Sequence, residues 1–233
     1  MSEPKGRGGL RAVLFDMDGL LVDSEPLWFE VETQIMARMG GAWTHADQQQ
    51  LVGGPPSHSM RYMLDRAARP VPEETVTRWM AEGITGLVRR HGVPMMPGAR
   101  ELVAEVSTAG VPCALVTAAH RDLMEAVLET IGVAFGATVC ADDVRNGKPH
   151  PEPYLLATAR LGVDPGGCVA LEDSPNGIAS AEAAGCVVIA VPNVAPVPPR
   201  PGQVIATSLC EVDLGRLRQL AASGGHPAVT NES

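Results

Sequence analysis

Four polar clusters in this chain carry groups that can do chemistry together. Asp16-Met17-Asp18-Gly19 sets two carboxylates one residue apart, directly after an apolar run at 11–15. Carboxylates at such a place are costly to bury unless something positive neutralises them, and Gly19 permits a turn that other residues resist. Thr117-Ala118-Ala119-His120 closes the apolar run 112–117 and opens a helical pattern. A hydroxyl beside free helix N-terminal amides suits an anion. Residues 146–151 (Asn-Gly-Lys-Pro-His-Pro) supply a fixed ammonium, Lys148, ahead of a helix. Glu172-Asp173-Ser174 follows the apolar run 168–171 and adds two more carboxylates.

The elements around these clusters decide whether they meet. Short apolar runs at 11–15, 112–117, 138–141, 168–171 and 187–191, with a weaker one at 204–206, read as buried strands. Helical patterns at about 98–109, 121–131, 152–161 and 175–184 separate them. Gly110, Gly132, Gly162 and Gly185 stand where left-handed C-terminal caps favour glycine. Ser174-Pro175 reads as a helix cap and a first-turn proline. Strands alternating with helices predict an α/β fold, a doubly wound Rossmann-like parallel sheet. All strand carboxyl ends then lie on one edge, where ligands bind. That edge would gather Asp16, Asp18, Thr117, Lys148, Glu172 and Asp173. Four carboxylates in one crevice suit Mg²⁺, which binds through oxygen and takes a substrate phosphate as well. A carboxylate can attack phosphorus, and a second one close by can shuttle the proton.

Residues 24–93 break the alternation. They carry helical patterns at 26–39, 57–69 and 73–91 and no convincing strand. A single crossover does not need so much chain. The expected organisation is a discontinuous core (10–23 and 94–215) with an inserted helical cap domain (24–93) and flexible tails (1–9 and 222–233). The linkers fall near 22–25 and 92–98. Leu27, Val31, Ile35 and Met39 recur at helical spacing, so packing explains Trp28 and Trp43 better than substrate contact does. Glu25 and Asp23 read as linker residues, or with Ser24 as the start of a helix.

The chain has 233 residues, 45% hydrophobic and 19% charged, with a formal charge of −9. Such a length buries a real core without staples. The acidic balance makes nucleic acid a poor partner. No apolar run approaches the ~18 residues of a membrane helix, and no signal peptide is legible. Five scattered cysteines without CxxC pairs read as reduced, buried small hydrophobes. A cytoplasmic protein, a monomer or weak homodimer, is expected.

Each cluster alone is a weak signal; all four in this order, each tied to an apolar strand, are not. The segments LFDMDGLLVDSEPLW (14–28), VTAAH (116–120), GKPHPEPY (147–154) and ALEDSPNGIASAEAAG (170–185) resemble the haloacid dehalogenase-like superfamily. The subfamily is the one with a helical cap after the first strand, and the resemblance runs from about 10 to 206. It is similar to sugar-phosphate and polyol-phosphate phosphatases, with β-phosphoglucomutase a near cousin. The resemblance implies Asp16 as nucleophile and Mg²⁺ ligand. It implies Asp18 as general acid/base, with its backbone carbonyl on the metal. Thr117, Ala118, Ala119, His120 and Lys148 would bind the phosphoryl group, with Lys148 also orienting the nucleophile. Asp173 would be the main distal metal ligand, assisted by Glu172. Ala118 and Ala119 depart from the polar residues common there, but backbone amides still bind.

The implied activity is Mg²⁺-dependent hydrolysis of a small phosphorylated metabolite, a sugar or polyol phosphate, through an aspartyl phosphate. The mutase alternative needs a second phosphate site. The glycine-bearing loop 51–59 puts Pro55 and Pro56 near the position where the mutase offers an arginine, with His58 and Arg61 as poorer substitutes. Hydrolysis is therefore favoured. Dehalogenation is disfavoured by the full acidic set. A non-catalytic phospholigand-binding protein is disfavoured because Asp16, Asp18, Lys148 and Asp173 are all present.

Overall fold

The computed structural model describes residues 9–51, 56–194 and 196–224, with the side chains of 56–58 excepted. In chain order the elements are β1 (Ala12–Phe15), α1 (Glu25–Arg38), α2 (His45–Leu51), α3 (Pro56–Arg66), α4 (Glu73–His91) and α5 (Ala99–Thr108). Then come β2 (Cys113–Val116), α6 (Arg121–Ile131), β3 (Ala137–Val139), α7 (Glu152–Leu161), β4 (Cys168–Glu172), α8 (Pro175–Ala183), β5 (Val187–Ala190), β6 (Val204–Ile205) and α9 (Leu214–Ser223). The six strands form one parallel sheet in the order β3-β2-β1-β4-β5-β6. This is the doubly wound arrangement expected, with β1 at its centre.

Side chains alternate across the sheet and divide the core into two layers. Val13, Phe15, Leu115, Val169, Leu171 and Ile189 face α5, α6 and α9. Ala12, Leu14, Ala114, Val116, Ala170 and Val188 face α7 and α8. The smaller residues of the second face let Tyr154 and Ala157 of α7 lie close to the sheet, and both are fully buried.

Five helices, α1 to α5, lie between β1 and β2 among the described residues, and the first four fall within the stretch 24–93. α4 packs on α1 and on α6. The two connecting segments are tied to each other: Val22 and Met95 form an antiparallel bridge, Asp23 N donates to Pro94 O at 2.9 Å and Met96 N to Leu21 O at 2.9 Å.

Two helices were not foreseen. α2 (HADQQQL) buries only Leu51, so it has no apolar period to read. α9 buries Leu214, Leu217, Leu220 and Ala221 and is capped by Asp213, whose carboxylate accepts from Arg216 N. Ordered structure therefore passes the expected boundary at 215 and runs to Ser223; Gly215 and two arginines had obscured the pattern. Strand β3 ends at Val139, earlier than expected, because residues 141–143 turn into a 3-10 helix. Of the tails, residues 1–8 and 225–233 lie outside the described residues. All five cysteines are free, and only Cys210 is exposed. Among the described residues, no helix is long and apolar enough to cross a membrane.

Candidate active site

Asp16 follows the last residue of the central strand, and its backbone N–H bonds Leu171 O at 3.1 Å. Thr117 directly follows β2, Glu172 ends β4 and Asp173 is the next residue. The switch point of the sheet, between strands reached by opposite crossovers, therefore carries most of the predicted groups.

Lys148 binds them together. Its Nζ lies 2.5 Å from Asp16 Oδ1 and 2.5 Å from Glu172 Oε1, and donates to Val116 O at 2.9 Å. All three ammonium protons are thereby used. Asp16 is 7% exposed and Glu172 fully buried. Burial works against the Lys148 charge, but Asp16 and Glu172 outweigh it and hold the ammonium above its ordinary pKa. Asp16 Oδ2 has no hydrogen-bond donor among the described residues, so one oxygen of this carboxylate is fixed and the other is unengaged.

Glu172 is the most enclosed of the acids. Besides Lys148, it accepts from the Tyr154 hydroxyl at 2.5 Å and from Ser174 Oγ at 3.3 Å. Burial, and then the charge of Asp16, raise its pKa. Helix α8 begins against it: a Cβ at Gly177 would overlap the Glu172 carboxylate. Ser174 caps that helix as foreseen, accepting from Gly177 N at 3.1 Å. Asp173 stands beside Gly19, where an added Cβ would meet its Oδ2; Gly19 also has φ +79°, a second reason for glycine. Burial, followed by the charges of Asp16 and Glu172, pushes the Asp173 pKa up.

Asp16, Glu172 and Asp173 offer oxygens that all lie within 4.8 Å of one another. Three carboxylates this close, two with raised pKa, lack positive charge despite Lys148. The donor set is all oxygen, as a hard divalent cation prefers. Glu172 Oε1 already serves Lys148 and Tyr154, whereas Asp173 accepts no hydrogen bond among the described residues. The residues present therefore fit a divalent cation, with Asp16 and Asp173 the freer ligands.

The Asp18 side chain lies apart from that group. Its Oδ1 accepts from Ser24 Oγ at 2.6 Å, and burial pushes its pKa up to about 6 despite this bond. Ser24 makes no side-chain cap to α1, so its expected capping role is replaced by this contact. Thr117 is buried, and its Oγ1 accepts from Ala119 N at 3.0 Å; the Ala118 amide has no protein acceptor among the described residues. One of the two amides expected to meet an anion is thus already used. His120 is exposed and its Nδ1 lies 2.8 Å from Asp142 Oδ1, while Asp142 Oδ2 accepts from Arg121 N at 2.7 Å. Asp142, Tyr154 and Ser24 went unassigned by sequence reading as site residues. Tyr154 and Ser24 stand inside the quoted motifs; Asp142 has no local signal.

A cleft of about 1600 Å³ opens over this edge. Asp18, Ala118, Ala119 and His120 line it from the sheet side, and Glu25, Trp28, Glu32 and Thr85 from α1 and α4. Trp28 is half-buried and does line the cleft, so packing alone does not account for it. Trp43 is buried, as expected, and donates to Glu32. Glu25 accepts from Gln48 Nε2 at 3.2 Å. Arg61 is exposed; the side chains of Pro55, Pro56 and His58 lie outside the described residues.

Comparison with known proteins agrees with this geometry. The family model described as haloacid dehalogenase-like hydrolase matches residues 13–191. Hexitol phosphatase B of Escherichia coli K12 is 36% identical over 202 residues, covering 82% of this chain and 86% of the relative. The phosphorylated carbohydrates phosphatase of Thermotoga maritima is 31% identical over 182 residues, covering 76% and 82%. Among solved structures, CbbY from Rhodobacter sphaeroides in complex with xylulose-(1,5)bisphosphate matches with a TM-score of 0.79 and 27% identity, covering 90% of this chain and 99% of that one. With the sheet order, the acidic switch point and a family match over most of its length, the chain belongs to the haloacid dehalogenase-like hydrolases.

Proposed function

We propose that this protein is a Mg²⁺-dependent phosphatase that hydrolyses a small phosphorylated sugar or polyol through an aspartyl phosphate on Asp16. The observation that carries the reading is the fixed carboxylate at the end of the central strand, with Lys148 at 2.5 Å on one oxygen and the other oxygen unengaged. The named activities of the hexitol and carbohydrate phosphatases, and the sugar bisphosphate held by the R. sphaeroides relative, favour the same substrate class.

In this reading Asp16 Oδ2 attacks phosphorus in line, and the bond from phosphorus to the leaving oxygen breaks. Asp18, with a pKa of about 6, gives that oxygen its proton. Asp18 then takes a proton from the water that attacks the phosphoryl group, the Asp16–phosphorus bond breaks, and inorganic phosphate departs. Thr117 and the Ala118 amide hold phosphoryl oxygens, and His120 stands at the rim. Lys148 orients Asp16 and offsets its negative charge, and Glu172 holds Lys148. Mg²⁺, held by Asp16 and Asp173 with the Asp18 carbonyl and Glu172 in support, would offset negative charge between the nucleophile and the phosphoryl group.

We read residues 24–93 as a cap that closes over the site, excludes water and selects the leaving group. The core then comprises 10–23 and the chain from 94 through α9.

Phosphate release across a panel of phosphorylated sugars, polyols and small acids tests this reading, with Mg²⁺ and with excess EDTA. Strong, EDTA-sensitive release from a sugar or polyol phosphate is expected. Isomerisation of β-glucose 1-phosphate without release, or undiminished release in EDTA, would contradict it.

A further inference from the structure

Glu32 has no part in the chemistry above, yet it is a carboxylate 8% exposed in the wall of the same cleft. It lies on α1, eight residues beyond Ser24, whose hydroxyl binds Asp18. At 1.5 Å rise per residue this sets it roughly 12 Å along the helix from Ser24. Asp18 and Glu32 line one cleft, so a leaving group that fills that cleft would run along the wall that carries Glu32.

Among the described residues the side chain is held by one oxygen. Glu32 Oε2 accepts from Trp43 Nε1 at 2.9 Å. Among the described residues Oε1 has no donor, and it is not one of the sealed, partnerless polar atoms. The Trp43 anchor is itself braced. Its ring meets Tyr62 edge-on, with centroids 5.8 Å apart, and the Tyr62 hydroxyl donates to Asp47 Oδ1 at 2.7 Å. The same cleft wall carries the apolar Trp28, Leu51, Met63 and Ile84 as well as charged groups, Glu25 and Arg89 among them. A buried carboxylate costs free energy unless its lone pairs are satisfied. A packing role would be met by an apolar residue at no such cost.

We infer that Glu32 is a specificity residue: its free oxygen accepts a hydrogen bond from a hydroxyl on the far end of the leaving group, so that the cleft selects polyhydroxylated phosphate esters over alkyl phosphates of equal length. This deepens the phosphatase reading and rests on it. Sites that hydrogen-bond a substrate hydroxyl reject analogues lacking it, because the buried partner is left unpaired.

The test compares kcat/KM for a hexitol phosphate and for the alkyl phosphate of the same chain length. Wild type, Glu32→Met and Glu32→Gln are measured. Glu32→Met should lower the hexitol-to-alkyl ratio by about 10- to 100-fold. Glu32→Gln, which keeps an acceptor for Trp43 and a polar atom in the cleft, should lower it less. A ratio unchanged in Glu32→Met, whether both rates hold or both fall together, overturns the specificity role and leaves the phosphatase reading intact. Failure of the wild-type protein to release phosphate from either ester overturns the phosphatase reading and this inference with it.

Discussion

Ser24 Oγ donates a 2.6 Å hydrogen bond to Asp18 Oδ1. The residue that precedes helix α1 thus holds the carboxylate assigned to proton transfer, instead of capping the helix it starts. Any movement of α1 relative to the sheet acts directly on Asp18 through this contact.

Ser24→Ala should therefore lower kcat about tenfold, the scale of one hydrogen bond to a charged group, with little change in Tm because no helix cap is lost. Ser24→Thr should restore most of the rate. A fall in Tm without a fall in kcat would return Ser24 to a purely structural role.

Replacing the proton-transfer group itself should cost more. Asp18→Asn is expected to reduce turnover by about 10²–10⁴, with circular dichroism unchanged. A loss under tenfold would point to a different acid.

Gly177 is demanded by the acid that holds Lys148. Gly177→Ala drives a methyl group into the buried Glu172 carboxylate, where Lys148 and Tyr154 already converge. Overpacking there should cost about 1–3 kcal/mol and lower activity as Lys148 shifts. Calorimetry and kcat measured on the same preparation check both effects.

Stability should carry a signature of Glu32. Burial, opposed by the Trp43 bond and assisted by the charge of Glu25, pushes its pKa up to about 7 from 4.5. Between those values the folded state binds this proton more tightly than the unfolded state. Stability from this group is therefore present below about pH 4.5 and is lost as pH rises through 7. Glu32→Gln cannot ionise, so its Tm advantage over wild type should grow from about pH 5 to about pH 8. Parallel Tm–pH curves would mean that Glu32 is ionised throughout.

Much of the site could be read from residue order because its key groups are consecutive and follow strands. Asp16 and Asp18, Thr117, and the Glu172-Asp173 pair each occupy a strand end, and a parallel sheet brings strand ends to one edge. The partners that fix them were harder to read. Tyr154 meets Glu172 across 18 residues and Asp142 meets His120 across 22, through side-chain directions that spacing does not encode. Ser24 looked like a cap because a hydroxyl before Pro26 satisfies that pattern equally well. Helix α2 has one buried residue, so its existence rests on tertiary packing against α1 and α3, not on its own periodicity.

The central claim is a covalent phosphoryl group on Asp16. The stereochemical course at phosphorus tests it most directly, using an ester whose transferred phosphoryl group is made chiral with oxygen isotopes. Two in-line displacements, first onto Asp16 and then onto water, predict net retention. Net inversion would mean that water attacks the substrate directly, and would contradict the account.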